Sequence, residues 1–332
     1  MNKNKTIRWG LLSTANINRL LIPPIRASKR GELVAVASRD QAIADAYAAK
    51  WEIPLAFGSY QSMLDSGKID AVYIGLPNHM HAEWTIRALQ AGVHVLCEKP
   101  FAITMDEVDQ MIAASQQSGC YLAEAFMYRH HPQTKILGEW VHSGRMGEIT
   151  VVRGVFTFQL TERDNVRLVA EYGGGSLWDV GVYPMSIAQY IYGGPPQSVF
   201  GMQWVGDTQV DETFTGQMRY SGDRLAQITA SFRTPQNTST EVIGTEGRLL
   251  LDKPFIGMDD SRRHMFFYPK QGKRQSIFVP KKELYLGEVE DLHAAVLDGA
   301  TPYLSLDETR NHVRTVLALY ESARTGLPVQ LT

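Results

Sequence analysis

The sequence predicts an α/β protein in two parts. A doubly wound parallel sheet with helices on both faces comes first, followed by an α+β part built on a large, mostly antiparallel sheet with one open face. Two patterns carry this reading. As far as residue 126, short and wholly apolar segments alternate with helical ones, as strands buried on both faces do. From residue 127 onward, apolar and polar residues alternate singly, as in strands with one wet face. The domains are therefore 1–126 and 127–332, and a chain of 332 residues has room for about two.

Thr6–Leu12 opens the first part as a strand, and Asn16–Ser28 follows as a helix that contains Pro23-Pro24. Leu33–Ala37 is the next apolar run, Gln41–Trp51 an alanine-rich helix and Ser59–Leu64 a short one. Ala71–Gly75 is a continuous apolar strand; His81–Ala91 is a helix stopped at Gly92, and Val93–Cys97 a strand. Thr104 opens a helix running to Gln117. Its Thr104-x-x-Glu107 has the form of a capping box, in which each side chain bonds the other residue's backbone N–H. Tyr121–Glu124 is the last strand of the series. Sheets of this kind bind ligands outside the carboxyl ends of their strands.

In the second part Val151–Phe158, Ser198–Trp204, Thr213–Tyr220, Leu225–Phe232, Thr238–Ile243 and Arg248–Leu251 read as a meander. Tyr220-Ser221-Gly222-Asp223 and Gly244-Thr245-Glu246-Gly247 supply its turns. Two helices close the chain, Leu286–Leu297 and Asp307–Thr325, the latter stopped by Gly326 and Pro328 and free to pack back on the first domain. The open sheet face is a natural place for subunits to pair. No internal repeat or low-complexity tract interrupts the pattern.

Composition excludes several classes. A net charge of −2 offers no basic field to nucleic acid or to an anionic membrane. No apolar run approaches the length of a membrane span, and the stretch after the polar Met1–Lys5 is too short for a signal-peptide core. Cys97 and Cys120 each lie beside an apolar segment, as reduced core thiols do, so a cytoplasmic enzyme is the expected setting.

Several short segments carry chemistry. After the first strand, Ser13-Thr14-Ala15-Asn16-Ile17 is a turn of small residues that lets backbone approach a pyrophosphate at a helix N-terminus. It is equally readable as an ordinary strand-to-helix turn. At the second strand's tip Ser38-Arg39 favours a 2'-phosphate and hence NADP, whereas Asp40 keeps NAD open. In Leu76-Pro77-Asn78, Pro77 fixes the turn and Asn78 either bonds a cofactor or caps the next helix. Five of the nine histidines fall between Asn78 and His131, but their spacing matches no metal site.

Glu98-Lys99-Pro100 places two charges at the end of a buried strand, where they are costly unless paired or used. In Gly173-Gly174-Gly175-Ser176-Leu177-Trp178-Asp179-Val180-Gly181-Val182-Tyr183, Asp179 and Tyr183 are four apart and share a helical face. A lysine, a tyrosine and a carboxylate together can take a proton from an alcohol. A free phenol has a pKa of about 10, too high for a base near neutrality, and a nearby ammonium lowers it. Each residue also has a plainer reading. Glu98 and Lys99 would make a surface ion pair, Ser176-x-x-Asp179 a second capping box, and Tyr183 a packed aromatic.

In this order the small-residue turn, Pro77-Asn78, Glu98-Lys99-Pro100, Glu124-Ala125-Phe126-Met127-Tyr128-Arg129 and the Gly173–Tyr183 stretch resemble the Gfo/Idh/MocA oxidoreductase family. The likeness spans essentially the whole chain. It is greatest to the branch holding glucose-fructose oxidoreductase, NADP-dependent D-xylose dehydrogenase and dimeric dihydrodiol dehydrogenase. The resemblance implies an N-terminal Rossmann domain and a C-terminal open-faced sheet used for a homodimer or a dimer of dimers. It implies NADP, or NAD, as cofactor and a carbohydrate-like substrate. It places the family's catalytic residues on Lys99, Asp179 and Tyr183, and substrate contacts on the same three with Arg167. It places cofactor contacts on Ser13, Thr14, Ala15, Asn16, Ile17, Ser38, Arg39, Leu76, Pro77, Asn78, His81, Glu98, Lys99 and Arg129. The departure is Ser13 and Ala15 where the family carries glycines. Two other functions fit the same family, an NAD-dependent glycosidase and a non-enzymatic NADP-sensing regulator.

Overall fold

A computed structural model describes residues 6–256 and 263–331. They divide into two compact units, 6–130 with 283–309 and 131–282 with 310–331.

In the first unit the chain runs β1 (Ile7–Leu12), α1 (Asn18–Ala27), β2 (Gly31–Ala37), α2 (Gln41–Trp51), β3 (Leu55–Phe57) and α3 (Tyr60–Asp65). It continues through β4 (Ala71–Ile74), α4 (His81–Gln90), β5 (His94–Glu98), α5 (Met105–Ser118) and β6 (Leu122–Ala125). The sheet order is β3-β2-β1-β4-β5-β6, and every pair is parallel. The order reverses between β1 and β4, so the ligand crevice of a doubly wound sheet falls outside the carboxyl ends of those two strands. All four residues of β4 are buried, which explains the unbroken apolar run. The Thr104–Glu107 capping box forms as expected: Thr104 Oγ1 accepts from the Glu107 N–H at 3.2 Å, and Glu107 Oε2 accepts from the Thr104 N–H at 3.1 Å.

The second unit begins with α6 (Pro132–His142), β7 (Ile149–Gln159) and α7 (Val182–Tyr192). There follow β8 (Ser198–Val205), β9 (Asp211–Arg219), β10 (Leu225–Ser231), β11 (Arg233–Gly244), β12 (Gly247–Asp252), β13 (Met265–Pro269) and β14 (Gln275–Ile277). The chain ends with α8 (Leu286–Asp298), α9 (Leu306–Thr325) and β15 (Val329–Gln330). One sheet of nine strands results, ordered β14-β13-β12-β11-β7-β10-β9-β8-β15. The meander expected from the sequence is not what forms. β7 lies between β11 and β10, antiparallel to the first and parallel to the second. Only Phe232 separates β10 from β11, and Thr157 of β7 pairs with Ser231 on one side and Asn237 on the other. Single-residue alternation fixes which face a side chain takes but not which strand lies beside it.

On one face of this sheet Val152, Phe156, Val199, Phe214, Met218, Ile228, Val242, Leu249 and Leu251 are buried. α7 packs there so closely that a Cβ on Gly154 of β7 would come within 2.5 Å of Pro184 Cβ. The opposite face exposes Met202, Trp204 and Leu225.

α8 belongs to the first unit. Its His293 is wholly buried, and Trp9 Nε1–H donates to its Nε2 at 2.9 Å. Nδ1 is therefore the protonated nitrogen, 3.1 Å from Ser28 Oγ. Burial lowers the His293 pKa to about 4, which keeps this neutral form near pH 7. Several elements escaped the sequence reading. β3 has three residues and β15 two, too few to show a period, and α6 is capped by a histidine side chain, His131, rather than by a common cap residue.

Candidate active site

At the end of β1 the chain enters α1 through Ser13, whose φ of 139° lies where glycine is at ease and other residues are strained. The side chain holds the strained residue in place. Ser13 Oγ donates to the Gly75 carbonyl at 3.1 Å and accepts from the Ala15 N–H at 3.2 Å; Asn18 Nδ2 donates to the Ser13 carbonyl at 2.8 Å. A serine thus takes a backbone shape at which glycine is at ease. The bond to Gly75 ties the end of β1 to the end of β4, the two sides of the crevice. A Cβ on Gly75 would meet Ile17 Cγ2 at 3.0 Å, so the turn also needs that close approach. α1 has neither a side-chain cap nor an acidic residue in its first turn, whereas Asp40, Ser59 and Thr104 cap α2, α3 and α5. An uncapped helix N-terminus behind a small-residue turn fits a dinucleotide's pyrophosphate.

At the tip of β2 Ser38 is buried and Arg39 is exposed, with Arg39 bonded to the Tyr60 hydroxyl. Asp40 is the N-cap of α2, its Oδ1 accepting from the Ile43 N–H at 3.0 Å. One carboxylate oxygen that would have bonded a ribose is thereby engaged, while the guanidinium stands in solvent.

At the end of β5, Lys99 is half-buried and the Lys99–Pro100 peptide is cis. The preceding Glu98 accepts the Tyr73 hydroxyl of β4 on Oε1 and the Lys99 N–H on Oε2 at 3.2 Å. Tyr73 is fully buried; burial, then the Glu98 charge, push its pKa well up, so it stays a neutral donor. Glu98 is therefore held from behind by a buried phenol. His81 is fully buried, with Nδ1 2.8 Å from the Pro100 carbonyl and Nε2 2.8 Å from the Leu76 carbonyl. Burial lowers its pKa to about 4. Ser13, Gly75, Leu76, His81, Pro100 and Lys99 thus form one connected run across the ends of β1, β4 and β5. Pro77 and Met80 occupy the cap positions of the next two turns, so Asn78 is not at a cap position. Arg129 is only 2% exposed, pairs with Glu308 and lies over the Tyr303 ring.

In the second unit Leu177–Gly181 is a single π-helical turn leading into α7. Such wide turns gather at functional sites. Ser176, at its cap position, makes no capping bond, so the second capping box does not form. Asp179 Oδ2 instead accepts from Arg167 Nε at 2.7 Å, which joins two of the expected substrate residues. The Tyr183 ring is buried against Phe156 and Phe255, with centroids at 5.3 Å and 5.6 Å. Lys99 belongs to the first unit, and Arg167, Asp179 and Tyr183 to the second. Tyr73 was not singled out from sequence because a tyrosine inside an apolar strand looks like core. Among the described residues no group of three or more His, Cys, Asp or Glu could hold a metal ion, and no helix is long and apolar enough to cross a membrane.

A parallel sheet of this order with a small-residue turn and an uncapped helix N-terminus at its switch point is the architecture of a dinucleotide-binding domain. Residues 7–126 match the family model described as oxidoreductase family, NAD-binding Rossmann fold, and residues 135–250 match the GFO/IDH/MocA C-terminal domain. The chain is 37% identical over 325 residues to D-xylose 1-dehydrogenase (NADP(+)) 2 of Haloferax volcanii, covering 97% of this chain and 99% of that one. It is 33% identical over 254 residues, 76% of each chain, to dTDP-3,4-didehydro-2,6-dideoxy-alpha-D-glucose 3-reductase of Saccharopolyspora spinosa. The structure resembles KijD10, a 3-ketoreductase from Actinomadura kijaniata solved with NADP and TDP-benzene. The TM-score is 0.90 at 27% identity, over 96% of this chain and 98% of that one. The protein belongs to the Gfo/Idh/MocA oxidoreductase family.

Proposed function

We propose that the protein is an NADP-preferring dehydrogenase that moves hydride between the nicotinamide and an alcohol or carbonyl carbon of an aldose, polyol or dihydrodiol. The observation that supports the proposal is the connected run from Ser13 through Leu76 and His81 to Pro100, which links the small-residue turn to the strand end that carries Lys99. The relative acting on D-xylose, alike along nearly its full length, supports a sugar as substrate. Ser13 to Ile17 hold the pyrophosphate, Arg39 the 2'-phosphate, and Lys99 the reacting oxygen. Tyr183 exchanges the proton with that oxygen, and Arg167 orients Asp179 toward the substrate. Hydride exchange is the chemistry the nicotinamide supplies when bound. The test is a spectrophotometric screen of aldoses, polyols and dihydrodiols with both cofactors. Reduced NADP should accumulate with at least one sugar or diol; a glycosidase would release sugar without accumulating reduced cofactor, and a regulator would turn nothing over.

Arg39→Ala in the same screen should lose about 1.5–3 kcal/mol of NADP binding and little of NAD binding, since only NADP offers a phosphate to the guanidinium. Equal losses for both cofactors would remove Arg39 from the 2'-phosphate site.

The protein further acts as a homodimer in the cytoplasm. The exposed Met202, Trp204 and Leu225 on the open sheet face support the pairing, and two buried free cysteines support the reducing compartment. Sedimentation equilibrium should give twice the chain mass, and a monomer at micromolar concentration would end the dimer proposal.

A further inference from the structure

The wide turn that carries Asp179 has no cap from its own sequence neighbourhood. Its cap arrives from β9. Asp211, the first residue of that strand, accepts on Oδ2 from the Leu177 N–H at 2.8 Å and from the Ser176 hydroxyl at 2.7 Å. Its Oδ1 accepts from the Tyr320 hydroxyl of α9 at 2.6 Å. The Asp211 carboxylate is buried, 3% exposed, and burial raises its pKa to about 6 against the hydrogen bonds from Tyr320, Ser176 and Leu177. Near neutrality it is an anion set against the N–H end of a helical turn, where backbone dipoles favour negative charge. Tyr320 is likewise fixed. Its ring lies 5.8 Å from that of Trp178, inside the turn, and 5.6 Å from that of Phe214. Burial and the Asp211 charge push its phenol well up, so it keeps the proton it donates.

The third glycine of Gly173-Gly174-Gly175 makes room for this arrangement. Gly175 has φ 124°, and a Cβ there would fall 2.1 Å from Asp211 Oδ1 and 2.8 Å from the Tyr320 hydroxyl. The Gly175 carbonyl in turn accepts from the Asp179 N–H at 3.0 Å. A carboxylate remote in sequence, a phenol and a glycine thus converge on the backbone that sets where Asp179 begins.

We propose that Asp211 and Tyr320 are positioning residues for the reaction, a buried brace that fixes the register of the turn presenting Asp179 and Tyr183. The proposal rests on the catalytic reading of those two residues given above. Neither Asp211 nor Tyr320 touches the reacting atoms; each acts through the backbone of 175–179.

Hydrogen–deuterium exchange and steady-state kinetics on the full chain test the brace. In Asp211→Ala, exchange should rise selectively across 175–183 while β1 to β6 keep wild-type rates. kcat should fall about 10²-fold, the cost of a small misplacement. NADP affinity, read by fluorescence titration, should stay at the wild-type value. Asp211→Asn keeps an oxygen acceptor for the Leu177 N–H and should recover most of both losses. Should Asp211→Ala not fold, Tyr320→Phe is decisive, because it removes one donor and leaves the ring contacts. It should raise exchange over 175–183 and lower kcat with NADP binding unchanged. Wild-type exchange there, exchange raised equally in every segment, or wild-type kcat despite a loosened turn would each overturn the brace. A wild-type protein inert toward every alcohol would overturn the dehydrogenase reading instead, and the exchange comparison would still decide whether the brace exists.

Discussion

Lys99→Ala, or Lys99→Met, is expected to lower kcat by about 10²–10⁴-fold, the usual worth of a positioned proton-transfer group. Fold and NADP binding should change little. The lysine follows Glu98, and Glu98 is anchored by the Tyr73 hydroxyl and the Lys99 N–H, so the strand end keeps its shape when the Lys99 side chain is shortened. The helix N-terminus and the Ser13 turn, which are to carry the pyrophosphate, lie on other strand ends and are untouched. Single-turnover rates with thermal unfolding and NADP titration separate the two effects. Near-normal turnover in either variant would sink the assignment. A loss of NADP binding as large as the loss of rate would make Lys99 a cofactor residue rather than a catalytic one.

Tyr183→Phe is expected to have a comparable effect, about 10²–10⁴-fold on kcat, or roughly 3–5 kcal/mol of transition-state stabilisation. The ring is retained, and with it the contacts to Phe156 and Phe255, so the melting temperature should barely move. For alcohol oxidation the phenolate is the active form. Wild-type kcat should therefore rise with pH as the phenol ionises, and the variant should lose that rise. A packed aromatic without chemical duty would give mild effects on both rate and stability. An active variant with an unchanged pH profile would move the base elsewhere. His81 is a poor substitute, because both its ring nitrogens face backbone carbonyls at 2.8 Å.

Much of the candidate site was legible as motifs, and much of its wiring was not. Ser13 stood out as a non-glycine in the small-residue turn, but the strained φ that explains it depends on Gly75, 62 residues further along. Asp179 stood out by its spacing from Tyr183. Its partner Arg167 was named only through family resemblance, since an arginine twelve residues away carries no local signal of pairing. Asp211 and Tyr320 gave no signal at all. One opens an alternating strand and the other sits inside a long helix, and each looks ordinary there.

What the sequence determined by itself is local. Strand and helix alternation, the Thr104–Glu107 cap, the faces of the second sheet's strands and the order of the motifs depend on residues a few positions apart, where period and side-chain reach decide the outcome. The tertiary structure decided which distant groups meet: β7 between β10 and β11, Tyr73 behind Glu98, and Asp211 at the head of the turn that bears Asp179. Hydrogen bonds form wherever the sheets bring donor and acceptor together, and a buried polar group must find its partner there whatever the distance along the chain.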